Sequence, residues 1–193
     1  IDGGAGNDDM RGGAGNDTYY VDNVLDRVIE DDRGGFDTVI SSINYTLGDF
    51  VEHVALTGSA LNATGNALRN TMEGNALDNT LIGNGGDDTF AGNGGDDTLI
   101  GGDGSDGYVY EMGDGHDTII DTPQSGDGNV IVLASGITAA DISFERRPAA
   151  FGDLVLAFSD GGSITVKDYF TAAAPIISGV TFASGPAWSA ADV

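Results

Sequence analysis

A nine-residue period between Gly83 and Val109 limits this chain to a repetitive fold. Three consecutive units read GNGGDDTFA, GNGGDDTLI and GGDGSDGYV. Each has a glycine-rich first half that ends in aspartate at the sixth place, and an apolar residue at the eighth. A disordered Gly/Asp-rich linker is the alternative that composition alone suggests, but such a linker has no reason to keep an apolar residue at every ninth position. We therefore expect a repeat architecture.

The two halves of each unit predict a turn followed by a short strand. Glycine loses much backbone entropy in a helix but turns easily through positive φ, so the first half is expected to be a turn. In the second half, one apolar side chain between polar neighbours is typical of a short strand with one inward face. Two units then complete one coil, and successive coils stack their strands in parallel about 4.8 Å apart. The chain is thus predicted to be all-β.

Stacking of the coils brings together the sixth-place aspartates of alternate units, for example Asp88 and Asp106. Two carboxylates about 5 Å apart repel each other by about 3 kcal/mol at an effective dielectric near 20, and a cation between them reverses the sign. Carboxylates and the carbonyls of glycine turns make a flexible, all-oxygen ligand set, which suits Ca²⁺ better than Zn²⁺ or a strictly octahedral Mg²⁺. The pattern therefore predicts calcium sites shared by neighbouring coils.

The units closely resemble the Gly-Gly-x-Gly-x-Asp-x-apolar-x nonapeptide of the repeats-in-toxin (RTX) calcium-binding family. The resemblance implies a parallel β-roll. It also implies that the carbonyls of places one and three in the earlier loop join those of places two and four in the later loop, beside the two aspartates. One site would then use Gly83, Gly85, Asp88, Gly102, Gly104 and Asp106, and the next would use Gly92, Gly94, Asp97, Gly113, Gly115 and Asp117.

Four more units precede this stretch at the amino-terminal end. GGAGNDDMR and GGAGNDTYY are well formed, VDNVLDRVI has lost its glycines, and DRGGFDTVI follows after a two-residue slip and restores the sixth-place aspartate and the eighth-place apolar residue. The sixth-place aspartates of the four units are Asp8, Asp17, Asp26 and Asp37. We pair Asp17 with Asp37, and Asp8 with Asp26, as further calcium ligands.

Between about residues 41 and 82 the apolar period continues without the calcium aspartates. Steps of nine from Tyr45 give Val54, Ala63, Met72, Leu81, Phe90, Leu99 and Tyr108. We also expect one longer strand from Val39 to Leu47, where the inward and outward residues alternate. Asn70 and Asn79 replace the sixth-place aspartate, which leaves two alternatives: a weaker calcium loop, or an asparagine ladder that packs coil on coil.

The array is predicted to end near Asp121, so that residues 1–121 form the roll and residues 122–193 form a capping segment. Antiparallel strands are expected at 130–133, 142–146, 154–158 and 164–170, with a hairpin turn at 159–162. This part resembles the haemolysin-type calcium-binding-related segment that often follows such repeats. The resemblance implies an antiparallel β cap that covers the open end of the roll.

Charge and composition exclude several functions. A formal net charge of −24, with only seven Lys and Arg, makes nucleic acid and anionic membranes poor partners. The chain has no cysteine, which excludes disulfides, thiolate metal sites and a cysteine nucleophile. No apolar run reaches the roughly 20 residues of a membrane span. The histidines His53 and His116 lie far apart, and no nucleophile-elbow serine or zinc-binding helix motif is present. We expect no catalytic residues.

The expected function is that of a non-catalytic, calcium-binding module of a bacterial protein that is secreted or displayed on the surface. The RTX resemblance implies that the module folds on Ca²⁺ outside the cell and supports export by a type I secretion system. One alternative is a carbohydrate-binding or adhesive module, because Tyr169, Phe170 and Trp188 offer aromatic faces to a polysaccharide. Another is that a catalytic domain lies upstream, since Ile1 and Asp2 look like the end of an earlier unit.

Overall fold

Short strands alternate between two sheets along the chain, as the nine-residue period predicts. The computed structural model describes residues 1–32, 34–122, 127–146, 152–172 and 175–193. Within these ranges the strands are β1 Asp9–Met10, β2 Thr18–Val21, β3 Arg27–Val28, β4 Thr38–Ser41, β5 Tyr45–Thr46, β6 His53–Leu56, β7 Asn62–Thr64, β8 Thr71–Glu73, β9 Thr80–Gly85, β10 Thr89–Ala91, β11 Thr98–Asp103, β12 Gly107–Tyr110, β13 His116–Ile120, β14 Val130–Leu133, β15 Ile142–Arg146, β16 Leu154–Phe158, β17 Ser163–Val166, β18 Gly179–Phe182 and β19 Trp188–Ser189. The described helical structure is one 3₁₀ turn, Ala139–Asp141, and no described helix has the length and apolarity to cross a membrane.

Two facing sheets form the walls of a parallel β-roll. One sheet has nine strands in the order β19-β18-β14-β12-β10-β8-β6-β4-β2, and the other has eight in the order β15-β16-β17-β13-β11-β9-β7-β5. Strands β1 and β3 make a separate parallel pair. In the regular part, Phe90 pairs with both Tyr108 and Met72, so each strand lies beside the strand two units away. The prediction that two units make one coil is confirmed.

The eighth-place side chains form the core between the sheets. From Val54 to Tyr108 the predicted series is no more than 1% exposed, whereas Tyr45, at its start, is only partly buried. The rings of Phe90 and Tyr108 stack one coil apart, with centroids 5.3 Å apart and an angle of 10° between their planes. Full burial of each large apolar side chain contributes about 1.5–3 kcal/mol. The apolar series therefore forms one continuous core.

The single long strand expected from Val39 to Leu47 is wrong. Strand β4 ends at Ser41, the chain bends at residues 42 and 43, and β5 begins at Tyr45 in the opposite sheet. The hydroxyl of the fully buried Ser41 donates to the carbonyl of Ile43 at 2.7 Å and closes the bend. The corner satisfies its own backbone groups through a serine, so an alternating pattern alone does not distinguish it from a straight strand.

The carboxy-terminal strands combine antiparallel and parallel pairing. Strands β15, β16 and β17 pair antiparallel, with the expected hairpin turn between β16 and β17, and β18 pairs antiparallel with β19. However, β14 pairs in parallel with β12 and β18, and β17 pairs in parallel with β13. The expected antiparallel strand at 130–133 is therefore wrong. Ile131 and Leu133 point into the core as repeat residues do, so this strand extends the roll. A division into two parts near Asp121 stays a prediction.

Candidate metal centre

Sixth-place residues on one edge of the roll form a hydrogen-bonded ladder from coil to coil. The backbone N–H of Asn70 donates to Asp88 Oδ1 at 2.7 Å, and the N–H of Asp88 donates to Asp106 Oδ1 at 2.8 Å. The N–H of Asp106 donates in turn to Asn129 Oδ1 at 2.8 Å. Each side chain therefore reaches back to the coil that precedes it in the sequence. The predicted pairing of Asp88 with Asp106 is confirmed as a contact between adjacent coils.

The opposite edge of the roll carries a second ladder of the same kind. The N–H of Asn79 donates to Asp97 Oδ1 at 2.7 Å, and the N–H of Asp97 donates to Asp117 Oδ1 at 3.1 Å. The predicted pairing of Asp97 with Asp117 is thus also confirmed as a contact. The four aspartates of the two ladders, Asp88, Asp97, Asp106 and Asp117, are called the carboxy-terminal cluster.

The second carboxylate oxygen of most of these aspartates is buried without a hydrogen-bond partner. Asp88, Asp97 and Asp106 are each about 1% exposed, and their Oδ2 atoms receive no hydrogen bond. A buried acceptor left unsatisfied costs about 1–3 kcal/mol, and a charged acceptor costs more. A hard cation satisfies such oxygens without a donor hydrogen. The residues present therefore fit Ca²⁺.

The first-place glycines leave the space beside these oxygens open. A Cβ on Gly83 would collide with Asp88 Oδ2, and a Cβ on Gly92 would collide with Asp97 Oδ2. Neither glycine has a positive φ, so the constraint at these two positions is the space beside the carboxylate. The glycine at the first place and the aspartate at the sixth therefore form one structural unit.

The loop backbone alternates its conformation at the places where the resemblance puts carbonyl ligands. In the four loops of the carboxy-terminal cluster, places two and four have a positive φ, between 63° and 129°; these residues are Asn84 and Gly86, Asn93 and Gly95, Gly102 and Gly104, and Gly113 and Gly115. A positive φ reorients the adjoining peptide groups, so carbonyls of a short loop can converge on one point. The ligand roles predicted for the carbonyls of Gly83, Gly85, Gly92, Gly94, Gly102, Gly104, Gly113 and Gly115 stay predictions.

Burial raises the pKa of each aspartate in the carboxy-terminal cluster. The pKa rises to about 7 for Asp88, about 6 for Asp97 and Asp106, and about 8 for Asp117. The main cause is desolvation; the backbone N–H donors oppose it, and neighbouring carboxylates add to it, as Asp106 does for Asp88. Without a cation, Asp88 and Asp117 are therefore largely protonated near neutral pH, whereas Asp97 and Asp106 take up protons below about pH 6. A bound Ca²⁺ offsets both the lost hydration and the repulsion.

Comparison with known proteins bears directly on these loops. A model of the RTX calcium-binding nonapeptide repeat matches residues 1–22 and 73–108, in four copies. These residues are RTX calcium-binding repeats. No curated protein sequence matches the chain. Among solved structures, the chain is similar to the extracellular lipase LipA from Serratia marcescens, with a TM-score of 0.33 and 13% identity over 83% of this chain. The chain spans about a third of that lipase, since the match covers 36% of it.

The two asparagine units, residues 65–73 and 74–82, satisfy their own hydrogen bonds. Asn70 Oδ1 accepts from the N–H of Asn66 at 2.8 Å, and Asn70 Nδ2 donates to the carbonyl of Val51, one coil earlier, at 3.1 Å. Asn79 makes the equivalent bonds with Asn75 and Ala60. No residue between 65 and 82 has a positive φ. These contacts favour the asparagine ladder over a weaker calcium loop.

The four repeat units near the amino terminus keep the predicted pairs. The N–H of Asp8 donates to Asp26 Oδ1 at 3.2 Å, and the N–H of Asp17 donates to Asp37 Oδ1 at 2.8 Å. Asp26 Oδ2 accepts from the N–H of Asn23 at 3.2 Å, so this oxygen is already satisfied. Asp37 Oδ2 and, in the other pair, Asp8 Oδ2 are buried without a partner. Each pair therefore leaves one carboxylate oxygen for a cation, but among the described residues a third carboxylate, that of Glu30, joins the pair of Asp17 and Asp37.

The nine-residue pattern did not identify three polar residues that contact the sixth-place side chains or backbone. Glu30 places a carboxylate oxygen within 4.8 Å of those of Asp17 and Asp37, and Asp17, Glu30 and Asp37 are called the amino-terminal cluster. Glu52 accepts from the N–H of Asp37 at 2.9 Å, and Asn129 ends the first ladder. Coil lengths of 15 and 23 residues, in place of 18, put Glu52 and Asn129 outside the nine-residue register. Their signal is the strand that follows each of them.

The other candidate residues make ordinary packing contacts. The Trp188 ring packs edge-on against Phe182, with centroids 4.7 Å apart, and against Phe144 at 5.3 Å. Tyr169 and Phe170 also pack edge to face, at 5.1 Å. His53 Nδ1 lies 3.3 Å from the Thr38 hydroxyl, and His116 Nδ1 lies 3.0 Å from the Ser163 hydroxyl. These contacts support structural roles for the aromatic residues and the histidines.

Proposed function

We propose that this chain is a non-catalytic, calcium-dependent folding module of a larger bacterial protein that is secreted or held at the cell surface. The observation that carries the proposal is the pairing of buried aspartates whose Oδ2 atoms have no hydrogen-bond partner. We assign one ion to Asp88 and Asp106, and one to Asp97 and Asp117. A third ion lies at the amino-terminal cluster.

Calcium decides folding because, without the ion, the folded chain carries strong repulsion among its negative charges. A formal net charge of −24 in 193 residues favours expansion of the chain, and the buried carboxylates lack counter-charges. A ligand at 100 times its dissociation constant adds about 2.7 kcal/mol per site. A folded domain has only about 5–15 kcal/mol of stability in total. Two or three sites therefore determine whether the chain folds.

The place of folding follows from the calcium concentration. Extracellular calcium modules bind with dissociation constants of about 10⁻⁴–10⁻³ M, so they are empty at cytosolic calcium levels. We propose that the chain stays unfolded inside the cell, passes through a type I secretion machinery, and folds outside. The contacts of the Trp188 ring with Phe144 and Phe182 favour a packing role for this residue over polysaccharide binding.

Far-ultraviolet circular dichroism tests this proposal. The spectrum should be that of a disordered chain in chelator and of a β-protein in millimolar Ca²⁺, with Mg²⁺ a poor substitute. Asp97→Ala should raise the calcium midpoint at least about tenfold, because it removes a charged ligand. Asp78→Ala is the matched control: Asp78 lies one place before the sixth place and makes an exposed hydrogen bond to the N–H of Asp96 at 2.9 Å.

Two results contradict the proposal. A β-spectrum in chelator at pH 8, where most of the buried aspartates are ionised, shows that calcium does not control folding. Equal midpoints for Asp97→Ala and Asp78→Ala show that the sixth-place carboxylate is not a ligand.

A further inference from the structure

We infer that Glu30 is a third carboxylate ligand of the amino-terminal calcium site, and that the Tyr19 hydroxyl holds it in place. The inference rests on the proposed calcium function and goes beyond it. Glu30 lies in the two-residue slip between units, so no repeat position assigns it a role. The site would bind one divalent, oxygen-seeking cation with three carboxylates, where each site of the carboxy-terminal cluster has two.

The three carboxylates are close enough to share one ion. One oxygen from each of Asp17, Glu30 and Asp37 lies within 4.8 Å of the other two. Calcium–oxygen distances of about 2.3–2.6 Å allow ligand oxygens up to about 5 Å apart on opposite sides of one ion. The described oxygens therefore fall within the span of a single coordination sphere.

Two of these carboxylates carry oxygens that no protein donor satisfies. Asp37 is 0% exposed, and its Oδ2 has no hydrogen-bond partner. Glu30 Oε2 is also buried without a partner. A Cβ on Gly34 would lie 2.8 Å from Asp37 Oδ2 and 3.0 Å from Glu30 Oε2, so both oxygens face the same small gap. Gly34 has no positive φ, so this gap is what a side chain there would fill.

Tyr19 fixes the direction of the Glu30 side chain. The Tyr19 hydroxyl donates to Glu30 Oε1, and Tyr19 itself is 0% exposed in the core. A rigid donor on Oε1 leaves Oε2 as the oxygen that faces Asp37. The same arrangement recurs at the other end of the roll, where the Tyr108 hydroxyl donates to Asp121 Oδ2 at 2.6 Å. Tyr19 is therefore a positioning residue.

The test is a calcium titration of the full chain followed by amide NMR. Gly12 and Gly34 report on the amino-terminal site, and Gly83 and Gly101 report on the carboxy-terminal cluster. Glu30→Gln keeps an acceptor for Tyr19 but removes the charge. It should raise the calcium midpoint at Gly12 and Gly34 at least about tenfold and leave the other two glycines unchanged.

Two further variants separate ligation from general charge and from packing. Tyr19→Phe keeps the ring in the core and should raise the midpoint at Gly34 by a smaller factor, about threefold, because Glu30 loses its clamp. Asp49→Asn removes one exposed charge from a turn outside the cluster and should shift no midpoint.

The outcomes separate this inference from the proposed function. If Glu30→Gln leaves Gly34 unchanged while Asp37→Asn abolishes its response, Glu30 is not a ligand and the calcium module stands. If Glu30→Gln and Asp49→Asn shift the midpoint equally, the effect is general charge, and the inference is overturned. If the wild-type chain shows no calcium response at any glycine, the proposed function itself fails.

Discussion

The asparagine units at residues 65–82 and the aspartate units at residues 83–121 share one architecture but differ in how their buried sixth-place side chains are hydrogen-bonded. In both, the sixth-place side chain is buried and reaches back towards the preceding coil. The Asn70 amide donates to the carbonyl of Val51, whereas Asp88 Oδ1 accepts from the N–H of Asn70. The amide brings its own donor hydrogens, but the carboxylate leaves one oxygen unsatisfied. One change of side chain thus separates a coil that satisfies its own polar groups from a coil that leaves a buried carboxylate oxygen unsatisfied.

The loop backbone follows this choice of side chain. The place-two residue Asn84 has a φ of 76°, while Asn66, at the same place of an asparagine unit, lies outside the left-handed region. Asn66 instead donates its N–H to Asn70 Oδ1. The same residue type therefore adopts two conformations, according to whether the sixth place offers an amide or a carboxylate. We therefore expect the asparagine coils to connect the two carboxylate clusters without a metal requirement of their own.

The largest expected effect comes from conversion of the carboxy-terminal cluster into asparagine. The variant Asp88→Asn/Asp97→Asn/Asp106→Asn/Asp117→Asn removes two proposed sites, each worth about 2.7 kcal/mol at 100 times the dissociation constant. The calcium-linked gain in the free energy of unfolding should fall by about 5 kcal/mol, measured by urea unfolding with and without calcium. An unchanged gain would mean that the two kinds of coil do not differ in metal dependence.

The second effect is on pH, and its sign follows from burial. The folded-state pKa values of Asp88, Asp97, Asp106 and Asp117, about 6 to 8, lie above the value of about 3.9 for an unfolded aspartate. The calcium-free fold therefore holds more protons than the unfolded chain. The stability that these four protonated groups contribute is fully present below about pH 4 and is lost as the pH rises through 6 to 8.

Acid should therefore partly replace calcium, and it should also compete with calcium. Protein freed of calcium on a chelating resin should show more β-structure by circular dichroism at pH 5 than at pH 8. The calcium midpoint should be about a hundredfold higher at pH 5 than at pH 8. The pKa of Asp88, about 7, lies two units above pH 5, so at pH 5 calcium must displace a proton from this carboxylate. The four-asparagine variant is the control. If its pH dependence is as large as that of the wild type, the titrating groups are not the four aspartates of the carboxy-terminal cluster.

The smallest effect is expected within the asparagine coils. Asn79→Ala removes the amide that donates to the carbonyl of Ala60 at 3.2 Å and accepts from the N–H of Asn75. Loss of this buried amide should lower the free energy of unfolding in saturating calcium by about 1–2 kcal/mol. The number of ions bound, measured by calorimetric titration, should not change. A lost ion would revive the weaker-calcium-loop alternative for these units.

The regular part of this chain was predictable because one period sets both the strands and the side-chain pairs. The register correctly paired Asp88 with Asp106 and Asp97 with Asp117, and it predicted the buried series through Phe90. The register tolerated two-residue insertions, since Asp97 and Asp117 are paired 20 residues apart, but it gave no role to residues inside an insertion or at other spacings, such as Asn129. Glu30 was missed for this reason, since its place depends on how an irregular loop folds over Asp37.

The corners and the end of the roll were harder to predict for a different reason. The bend at Ser41 rests on one hydroxyl hydrogen bond, and alternation of residues does not report it. The parallel pairing of β14 depends on what lies beside it, because a short alternating strand has the same pattern in parallel and antiparallel sheets. Local pattern therefore predicted where the strands lie better than which neighbours they have.

The backward reach of every sixth-place side chain gives the roll a direction. The Asp88 side chain accepts a hydrogen bond from a backbone N–H in the coil before it, and the Asp106 side chain accepts one from the N–H of Asp88. A backbone donor of each coil is therefore satisfied by the coil that follows it in the chain. Asn129 then ends this ladder with an amide in place of a carboxylate. If the chain enters a calcium-rich medium with its carboxyl end first, the side chain that accepts each of these hydrogen bonds is already present when its donor arrives. If the chain enters with its amino end first, the backbone N–H of the sixth-place residue in the last folded coil has no acceptor until the next coil follows.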